Sequence, residues 1–274
     1  MRAPVLLVAC AIALPVAGRA AAQAPEVQVS AVPEYAAVRA GSSFRVAVRL
    51  RIPEGWHIYW TNPGPGGLPT TVAWHLPGGV TAGETEWPFP ETDESGGDIT
   101  HVYRGTVVLF SHFQTGPDAS GALRLTADLS WGICKAVCIQ QKQSVFVVTR
   151  VAAAAGPRSS DWSEMEAARS RLPVHPADAR FSAVVRGGDV ALTVTGFKAA
   201  PPAGAWATFF PVAPGLKSAV AQVRGSADSI TVVLPRMVIG SGSPGRLEGV
   251  LVAAHAPGAL PPVRAIAVDV PVGP

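Results

Sequence analysis

Residues 44–50 have the sequence Phe44-Arg45-Val46-Ala47-Val48-Arg49-Leu50, in which Phe, Val, Val and Leu occupy alternate positions. This spacing places the four apolar side chains on one face of a β-strand, predicted over Ser43–Arg51. The sequences Pro53-Glu54-Gly55 and Pro77-Gly78-Gly79 follow at short intervals and are typical of turns. Short strands separated by regular turns predict an antiparallel β-sandwich.

The same pattern recurs along the rest of the chain, on both sides of one helical segment. In the first half, strands are predicted over residues 26–32, 43–51, 56–60, 70–75, 102–113, 123–130 and 144–151. In the second half, they are predicted over residues 181–186, 190–195, 206–210, 229–234, 247–255 and 265–270. The sequence therefore predicts an all-β protein that contains two antiparallel β-sandwich domains.

The segment between the two predicted sandwiches combines a small-residue linker with a helix. Asp161 and Glu164 have the spacing of a capping box, and Pro173 marks the end of the helix. We therefore predict a first sandwich over residues 23–151, a linker with a short helix over 152–177, and a second sandwich over 178–274.

The first 22 residues have the features of a secretory signal peptide. Arg2 supplies the positive charge, residues 5–16 are apolar except for Pro15, and Ala20-Ala21-Ala22 matches a signal-peptidase site. The apolar run is shorter than the roughly 20 residues that a membrane-spanning helix needs. Cys10 lies in a sequence that resembles a lipoprotein box, but the apolar run continues beyond it. We therefore expect a periplasmic mature protein without a transmembrane segment.

Composition excludes several classes of protein. The chain of 274 residues contains 28 Gly, 26 Pro and 48% hydrophobic residues, which favours many turns and excludes general disorder. The formal charge of +3 includes Arg2 and Arg19 of the predicted signal peptide, so the mature chain is nearly neutral. Since its basic residues are also not clustered, no nucleic-acid partner is expected.

Two cysteines remain after removal of the signal peptide, Cys134 and Cys138, and an exported chain can join them in a disulfide. Only three residues separate them, so the entropy that the disulfide removes from the unfolded chain is small. Such a pair is better suited to opening and closing than to holding a fold together. An inert local disulfide is the alternative. Structural zinc is not expected, because the sequence supplies no further nearby ligands.

Aromatic and turn-rich motifs surround this pair in the order of the chain. They are Trp56-His57-Ile58-Tyr59-Trp60-Thr61-Asn62-Pro63-Gly64, Gly67-Leu68-Pro69, Trp74, Trp87-Pro88-Phe89-Pro90, Tyr103-Arg104-Gly105 and Trp131-Gly132-Ile133-Cys134-Lys135-Ala136-Val137-Cys138-Ile139. Over residues 27–151 this sequence resembles the N-terminal periplasmic domain of the DsbD family of thiol:disulfide interchange proteins. It is similar in particular to the branch that includes the copper-tolerance-associated ScsB proteins.

The resemblance implies a fold, an activity and a set of partners. It implies immunoglobulin-like sandwiches and a thiol-disulfide oxidoreductase of the protein-disulfide reductase family, which passes electrons through Cys134 and Cys138. It implies that Cys138 forms the mixed disulfide with thioredoxin-like periplasmic proteins, and it implies no cofactor and no metal. Family members are linked to cytochrome c biogenesis or copper tolerance, and nothing in these residues selects either.

This sequence departs from the family pattern in two respects. Better-known members have a longer spacing between the cysteines. They also carry a transmembrane domain and a thioredoxin-like domain, which this sequence lacks, so we expect a membrane electron donor on a separate chain.

Several other residues are candidates for the surroundings of the cysteines. Trp131 and Ile133 are predicted to point into the sandwich, and Lys135 either favours a thiolate or is a solvated loop residue. In residues 56–60, Trp56, Ile58 and Trp60 are predicted core residues, and a ligand-binding platform is the alternative. Residues 62–69 form a shaped loop without an assigned role.

The family resemblance also implies a cap loop over the cysteines, which would lie at residues 91–101. Asp93 and Glu94 supply its acidic character. Gly96-Gly97 stands where an aromatic residue is expected, so His101 or Tyr103 is the candidate substitute. A mobile glycine-rich loop is the alternative.

Three other functions can be compared with electron transfer. A non-catalytic binding or assembly module with a structural disulfide is the main alternative, because β-sandwiches often serve as binding platforms. A copper-handling protein is less expected, because the six His are scattered and only Met165 and Met237 lie in the mature chain. A hydrolase is less expected still, because no nucleophile-elbow pattern is present.

Overall fold

The computed structural model describes residues 25–94, 98–196, 205–213, 216–222, 229–235, 245–254 and 264–274. The predicted signal peptide, Met237 and Gly96-Gly97 lie outside these residues.

The first half of the chain contains eleven strands in two sheets. The strands are β1 (Gln28–Pro33), β2 (Ala37–Arg39), β3 (Ser43–Arg51), β4 (His57–Tyr59), β5 (Thr71–His75), β6 (Val80–Glu86), β7 (Glu91–Asp93), β8 (Thr100–Tyr103), β9 (Thr106–Thr115), β10 (Ala122–Cys134) and β11 (Cys138–Ala152). One sheet has the order β1-β3-β9-β6, and the other has the order β2-β11-β10-β4-β8-β7 with β5 also paired to β10. Nearly all the pairs are antiparallel, as predicted.

The core of the first half lies between these two sheets. Val48 and Leu50 of β3 pack in one buried cluster with Leu129 and Trp131 of β10. The alternation that predicted β3 therefore directs its apolar side chains towards the opposite sheet. Burial of these apolar surfaces is the main favourable contribution to folding.

Strands β10 and β11 are longer than predicted, and another predicted strand is divided in two. Residues 102–113, expected as a single strand, form β8 and β9 with a break at Arg104 and Gly105. Gly105 has a φ of 64°, which suits glycine because it has no Cβ. The break returns the chain to the other sheet, so β8 pairs with β4 while β9 pairs with β3.

The segment between the halves packs on the outer face of the first sheet. It contains α1 (Trp162–Ala167) and a 3-10 turn (Ala168–Arg171), and it ends before Pro173 as predicted. Trp162 and Met165 are buried in one cluster with Ala47 and Phe110. Arg49 donates a hydrogen bond to Glu164 at 2.9 Å, which adds a polar contact at the edge of the cluster.

The predicted capping box is wrong. Asp161 precedes α1 but makes no side-chain hydrogen bond to the helix backbone. The Glu164 side chain faces the arginines of β3 instead.

The second half folds into one sheet that closes on itself as a sandwich. Its strands are β12 (Arg180–Arg186), β13 (Asp189–Thr195), β14 (Trp206–Pro211), β15 (Ala219–Gln222), β16 (Ser229–Leu234), β17 (Arg246–Ala254) and β18 (Arg264–Gly273), in the order β15-β14-β17-β18-β12-β13-β16. Strand β18 connects the two layers, because most of it pairs with β17 whereas Val272 and Gly273 pair with β12.

Strands β14 and β17 are buried on both faces. Phe209 and Leu251 point into the core of the second sandwich. The neighbouring Phe210 and Val250 belong to the cluster that contains Trp60 of the first half. Since both faces of these strands are covered, the second sandwich packs against the first through an apolar surface.

Candidate functional site

Cys134 and Cys138 form a disulfide at the end of the β10–β11 hairpin. Their sulfurs are 2.05 Å apart, and the two residues are direct partners in the register of the hairpin. The intervening turn is closed by a hydrogen bond from Lys135 N to Val137 O at 3.1 Å. The hydrogen-bonded pairing of β10 with β11 already brings the two cysteines together. The disulfide therefore closes only a very small loop at the end of this hairpin.

The two sulfurs lie in different surroundings. Cys134 is only 2% exposed and belongs to a small cluster with Tyr59 and Val102. Cys138 is exposed, and Val137 beside it is 62% exposed. Cys138 is therefore the more accessible residue of the pair. This asymmetry fits the predicted role of Cys138 in the mixed disulfide.

Strand β4 supplies the aromatic side chains next to the cysteines. Ile58 and Trp60 lie in the core with Trp56 packed against it, as predicted. On the other face, the Tyr59 hydroxyl lies 4.0 Å from Cys138 Sγ, and it can donate a hydrogen bond to this sulfur, which carries no proton in the disulfide. Burial and the nearby Asp93 carboxylate raise the pKa of Tyr59, so its hydroxyl keeps its proton at neutral pH.

His57 and Asp93 extend this group of polar side chains. His57 is the strand partner of Cys134, and its ring contacts the edge of Tyr59 at 5.3 Å between centroids. Its Nδ1 lies 4.0 Å from Asp93 Oδ2, and Arg104 pairs with the same carboxylate. Burial is the largest influence on the pKa of His57 and lowers it. The Asp93 carboxylate opposes this effect in part, and Arg104 adds a smaller lowering effect. The imidazole is therefore neutral at pH 7.

The loop at residues 62–69, called the 62–69 loop below, packs against this group. A Cβ on Gly67 would lie 2.5 Å from the Tyr59 ring, and a Cβ on Gly132 would lie 2.9 Å from Leu68 Cβ. The loop backbone at Gly67, where φ is 98°, thus lies directly on the Tyr59 ring. Leu68, 43% exposed, covers the hairpin next to the cysteines.

In the segment predicted as a cap, residues 91–101, the described residues include strand β7 and the first residues of β8, which pair with each other. Only part of the predicted role of this segment is supported. Asp93 lies beside His57, as described above. The candidates for the missing aromatic residue are wrong. His101 is buried towards the second sandwich, and the Tyr103 hydroxyl donates to Pro88 O at 2.6 Å in the core. Strand alternation turns both away from the cysteines and directs Val102 towards them.

Lys135 is exposed at the turn, as expected for a loop lysine. A Cβ on Gly55 would lie 3.3 Å from Lys135 Nζ, so the ammonium group of Lys135 lies over the 53–55 turn. An effect of Lys135 on a cysteine thiolate stays a prediction.

Within the described ranges, no group of three or more His, Cys, Asp or Glu side chains is placed to hold a metal ion. In the same part of the chain, no helix has the length and apolar character that crossing a membrane requires.

The sequence did not single out Tyr59, His57 or Asn62 as parts of this site. Their contacts depend on how β4 pairs with β10 and on the path of the 62–69 loop. The alternation within residues 56–60 was the available signal, since it placed His57 and Tyr59 on the face opposite the core.

Comparison with known proteins gives a family profile and matches to solved structures. The family profile described as "Thiol:disulfide interchange protein DsbD, N-terminal" matches residues 26–150. The N-terminal periplasmic domain of ScsB from Proteus mirabilis is 18% identical with a TM-score of 0.58, and the match covers 90% of this chain and 93% of that chain. This similarity confirms the all-β, immunoglobulin-like fold.

A bacterial pilin is also among the matches. The major pilin SpaD from Corynebacterium diphtheriae is 11% identical with a TM-score of 0.31, covering 89% of this chain and 59% of that chain. A search of curated proteins found no match.

Proposed function

Since residues 26–150 belong to the family of the N-terminal domain of the thiol:disulfide interchange protein DsbD, we propose that this chain carries electrons through Cys134 and Cys138. A thiol:disulfide interchange role follows from the family. The proposal adds that the two cysteines are the catalytic residues, that the partners are thioredoxin-like proteins, and that the exchange takes place in the periplasm.

The observation that carries the proposal is the difference in exposure between the two cysteine residues. A stabilising disulfide has no need of an accessible sulfur, whereas an exchange reaction needs one sulfur open to attack and another ready to leave. Cys138 is exposed and Cys134 is 2% exposed. The pair therefore has the arrangement that directional exchange requires.

The exchange proceeds in two displacements. A thiolate of the partner attacks Cys138 Sγ, a bond forms between these sulfurs, the Cys134–Cys138 bond breaks, and Cys134 leaves as a thiolate that takes up a proton. The second thiol of the partner then attacks its own mixed-disulfide sulfur and releases Cys138. The partner is oxidised to a disulfide and this chain is reduced to a dithiol, with two electrons and two protons transferred. The reverse sequence reduces a substrate disulfide.

The surface next to Cys138 supports docking of a protein partner. Val137, next to Cys138 in the sequence, and Leu68, which lies against Gly132 of the hairpin, are large apolar side chains that are 62% and 43% exposed. Exposed apolar side chains beside a reactive group are typical of protein-binding surfaces.

The location and the division into domains are also part of the proposal. The predicted signal peptide over residues 1–22 supports export, and the similar ScsB domain is described as periplasmic. We place the redox pair in a first domain over residues 23–151, joined through the linker at 152–177 to a second domain over 178–274.

Reduction of the folded protein tests the proposal. We expect the disulfide to be reduced in graded thiol buffers without unfolding, at a potential less negative than about −300 mV. Its reduction should lower the free energy of unfolding by no more than about 2 kcal/mol, because a loop this small removes little entropy from the unfolded chain. Free-thiol counts give the potential, and urea unfolding of both forms gives the change in stability.

A variant with Cys134→Ser and Cys138→Ser is the matched control, and its unfolding should resemble that of the reduced protein. If the disulfide resists reduction until the domain unfolds, it is structural, and the electron-carrier proposal is wrong.

A further inference from the structure

The 62–69 loop is anchored to the second sandwich by its first residue. The Asn62 side-chain amide donates hydrogen bonds to Pro211 O at 2.7 Å and to Ala213 O at 3.2 Å. Its side-chain oxygen accepts a hydrogen bond from Gly64 N at 3.0 Å. Asn62 is only 6% exposed, so these bonds are protected from water. One side chain thus joins the second sandwich to the first turn of the loop.

His101 forms a second connection at the same place. Its Nδ1 lies 2.7 Å from Asn62 O, and a carbonyl oxygen only accepts, so Nδ1 carries the proton. In the neutral ring Nε2 then accepts a hydrogen bond from the Ser218 hydroxyl of the second sandwich, 2.5 Å away. The ring also contacts Phe210 at 5.2 Å between centroids.

The other end of the loop reaches the redox pair. Gly67 lies on the Tyr59 ring, and the Tyr59 hydroxyl lies 4.0 Å from Cys138 Sγ. In addition, Thr70 donates a hydrogen bond to Tyr59 O at 2.5 Å. A continuous set of contacts therefore leads from Ser218 through His101 and Asn62 to the tyrosine beside the exposed sulfur.

We propose that the second sandwich sets the reactivity of Cys138 by holding the 62–69 loop against Tyr59, with Asn62 and His101 as positioning residues. The inference rests on the proposed electron-carrier function and gives the second sandwich a role in it.

The physical basis is the hydrogen bond between Tyr59 and Cys138. In the reduced protein, a hydrogen bond donated by the Tyr59 hydroxyl to the Cys138 thiolate stabilises the charged form and lowers the pKa of the thiol. This stabilisation depends on the position of the Tyr59 ring, which the loop fixes. If the loop loses its anchors, the ring gains freedom and the thiolate loses part of its stabilisation.

The experiment measures the rate at which iodoacetamide alkylates Cys138 in the reduced full-length chain between pH 6 and pH 10. Asn62→Ala and Ser218→Ala should each shift the pH midpoint upward and slow alkylation at pH 7 about threefold, which corresponds to losing part of one hydrogen bond. The midpoint reports the thiol pKa, and a change in access to the sulfur does not move it. Thr193→Ala removes an exposed hydrogen bond to Thr231 in the same sandwich and should leave the midpoint unchanged.

A double-mutant cycle identifies the route of the effect. In a Tyr59→Phe background, Asn62→Ala should cause no further shift, because the hydrogen bond is already absent. A shift that persists in this background, or wild-type midpoints in both Asn62→Ala and Ser218→Ala, overturns the inference alone. A wild-type disulfide that cannot be reduced in the folded chain overturns the proposed function and this inference with it.

Discussion

The Cys138 thiol left by Cys134→Ser is expected to react at least about tenfold faster with an aromatic disulfide reagent than the Cys134 thiol left by Cys138→Ser, because access to the sulfur controls the reaction. Cys138 is exposed, whereas Cys134 is buried beside Tyr59 and Val102. The rate of release of the coloured thiolate from 5,5′-dithiobis(2-nitrobenzoate) measures this difference. A thioredoxin-fold protein whose resolving cysteine is replaced by serine can be given as the mixed disulfide of its remaining cysteine with 2-nitro-5-thiobenzoate. The Cys138 thiolate of Cys134→Ser should then displace the nitrothiobenzoate and accumulate a mixed disulfide with the protein, and Cys138→Ser should not.

Both variants should react at the same rate in 6 M urea, which shows that the difference comes from the fold. Exchange with a dithiol partner should be abolished in each variant, since one cysteine alone cannot complete the cycle. Equal rates in the folded state, or a faster Cys134, would contradict the assignment of Cys138 as the attacked sulfur.

The stability of the chain is expected to fall as the pH decreases from about 6.5 to about 4, and His101 is the main cause. Burial lowers the pKa of His101 from 6.5 to about 4, against a smaller raising effect of its hydrogen bond to Asn62. Over this range the unfolded chain binds a proton that the folded chain does not, so the free energy of unfolding decreases with decreasing pH. The full difference corresponds to about 3 kcal/mol.

Urea unfolding at pH 7.0, 6.0 and 5.0 measures this slope for the wild type and for His101→Asn. The variant retains a donor towards Asn62 O but does not titrate, so its slope should be much smaller. A part of the slope should remain in the variant, because burial also lowers the pKa of His57. His175→Asn, at an exposed position, should keep the wild-type slope. An unchanged slope in His101→Asn would refute the assignment.

Strands in which apolar residues occupy alternate positions were predictable from the sequence, and strands without this alternation were not. Residues 43–51 and 229–234 match β3 and β16 to the residue, because in each an apolar face lies against a core. Strand β6 was missed, since the sequence of Val80–Glu86 is mostly small and polar and largely exposed. It is held as a strand by pairing with β9, which is a tertiary effect.

The site was predictable only where one local motif contains it. The spacing of Cys134 and Cys138 suffices to predict their disulfide, because the hairpin itself brings them together. Tyr59 joins them from a strand 79 residues away in sequence. The double burial of β14 and β17 was likewise not inferred, although the almost continuous apolar run at residues 249–254 is typical of a strand covered on both faces.

The bond from Asn62 to Pro211 has a consequence for the time course of synthesis. The two residues are 149 positions apart in the chain. At the usual 5–20 residues per second, roughly 7 to 30 s separate the appearance of the first from that of the second. The β10–β11 hairpin and its cysteines are made within that interval. A nascent chain therefore possesses its disulfide-forming pair before it possesses the support for the loop beside it, and a segment made well after the cysteines completes their surroundings.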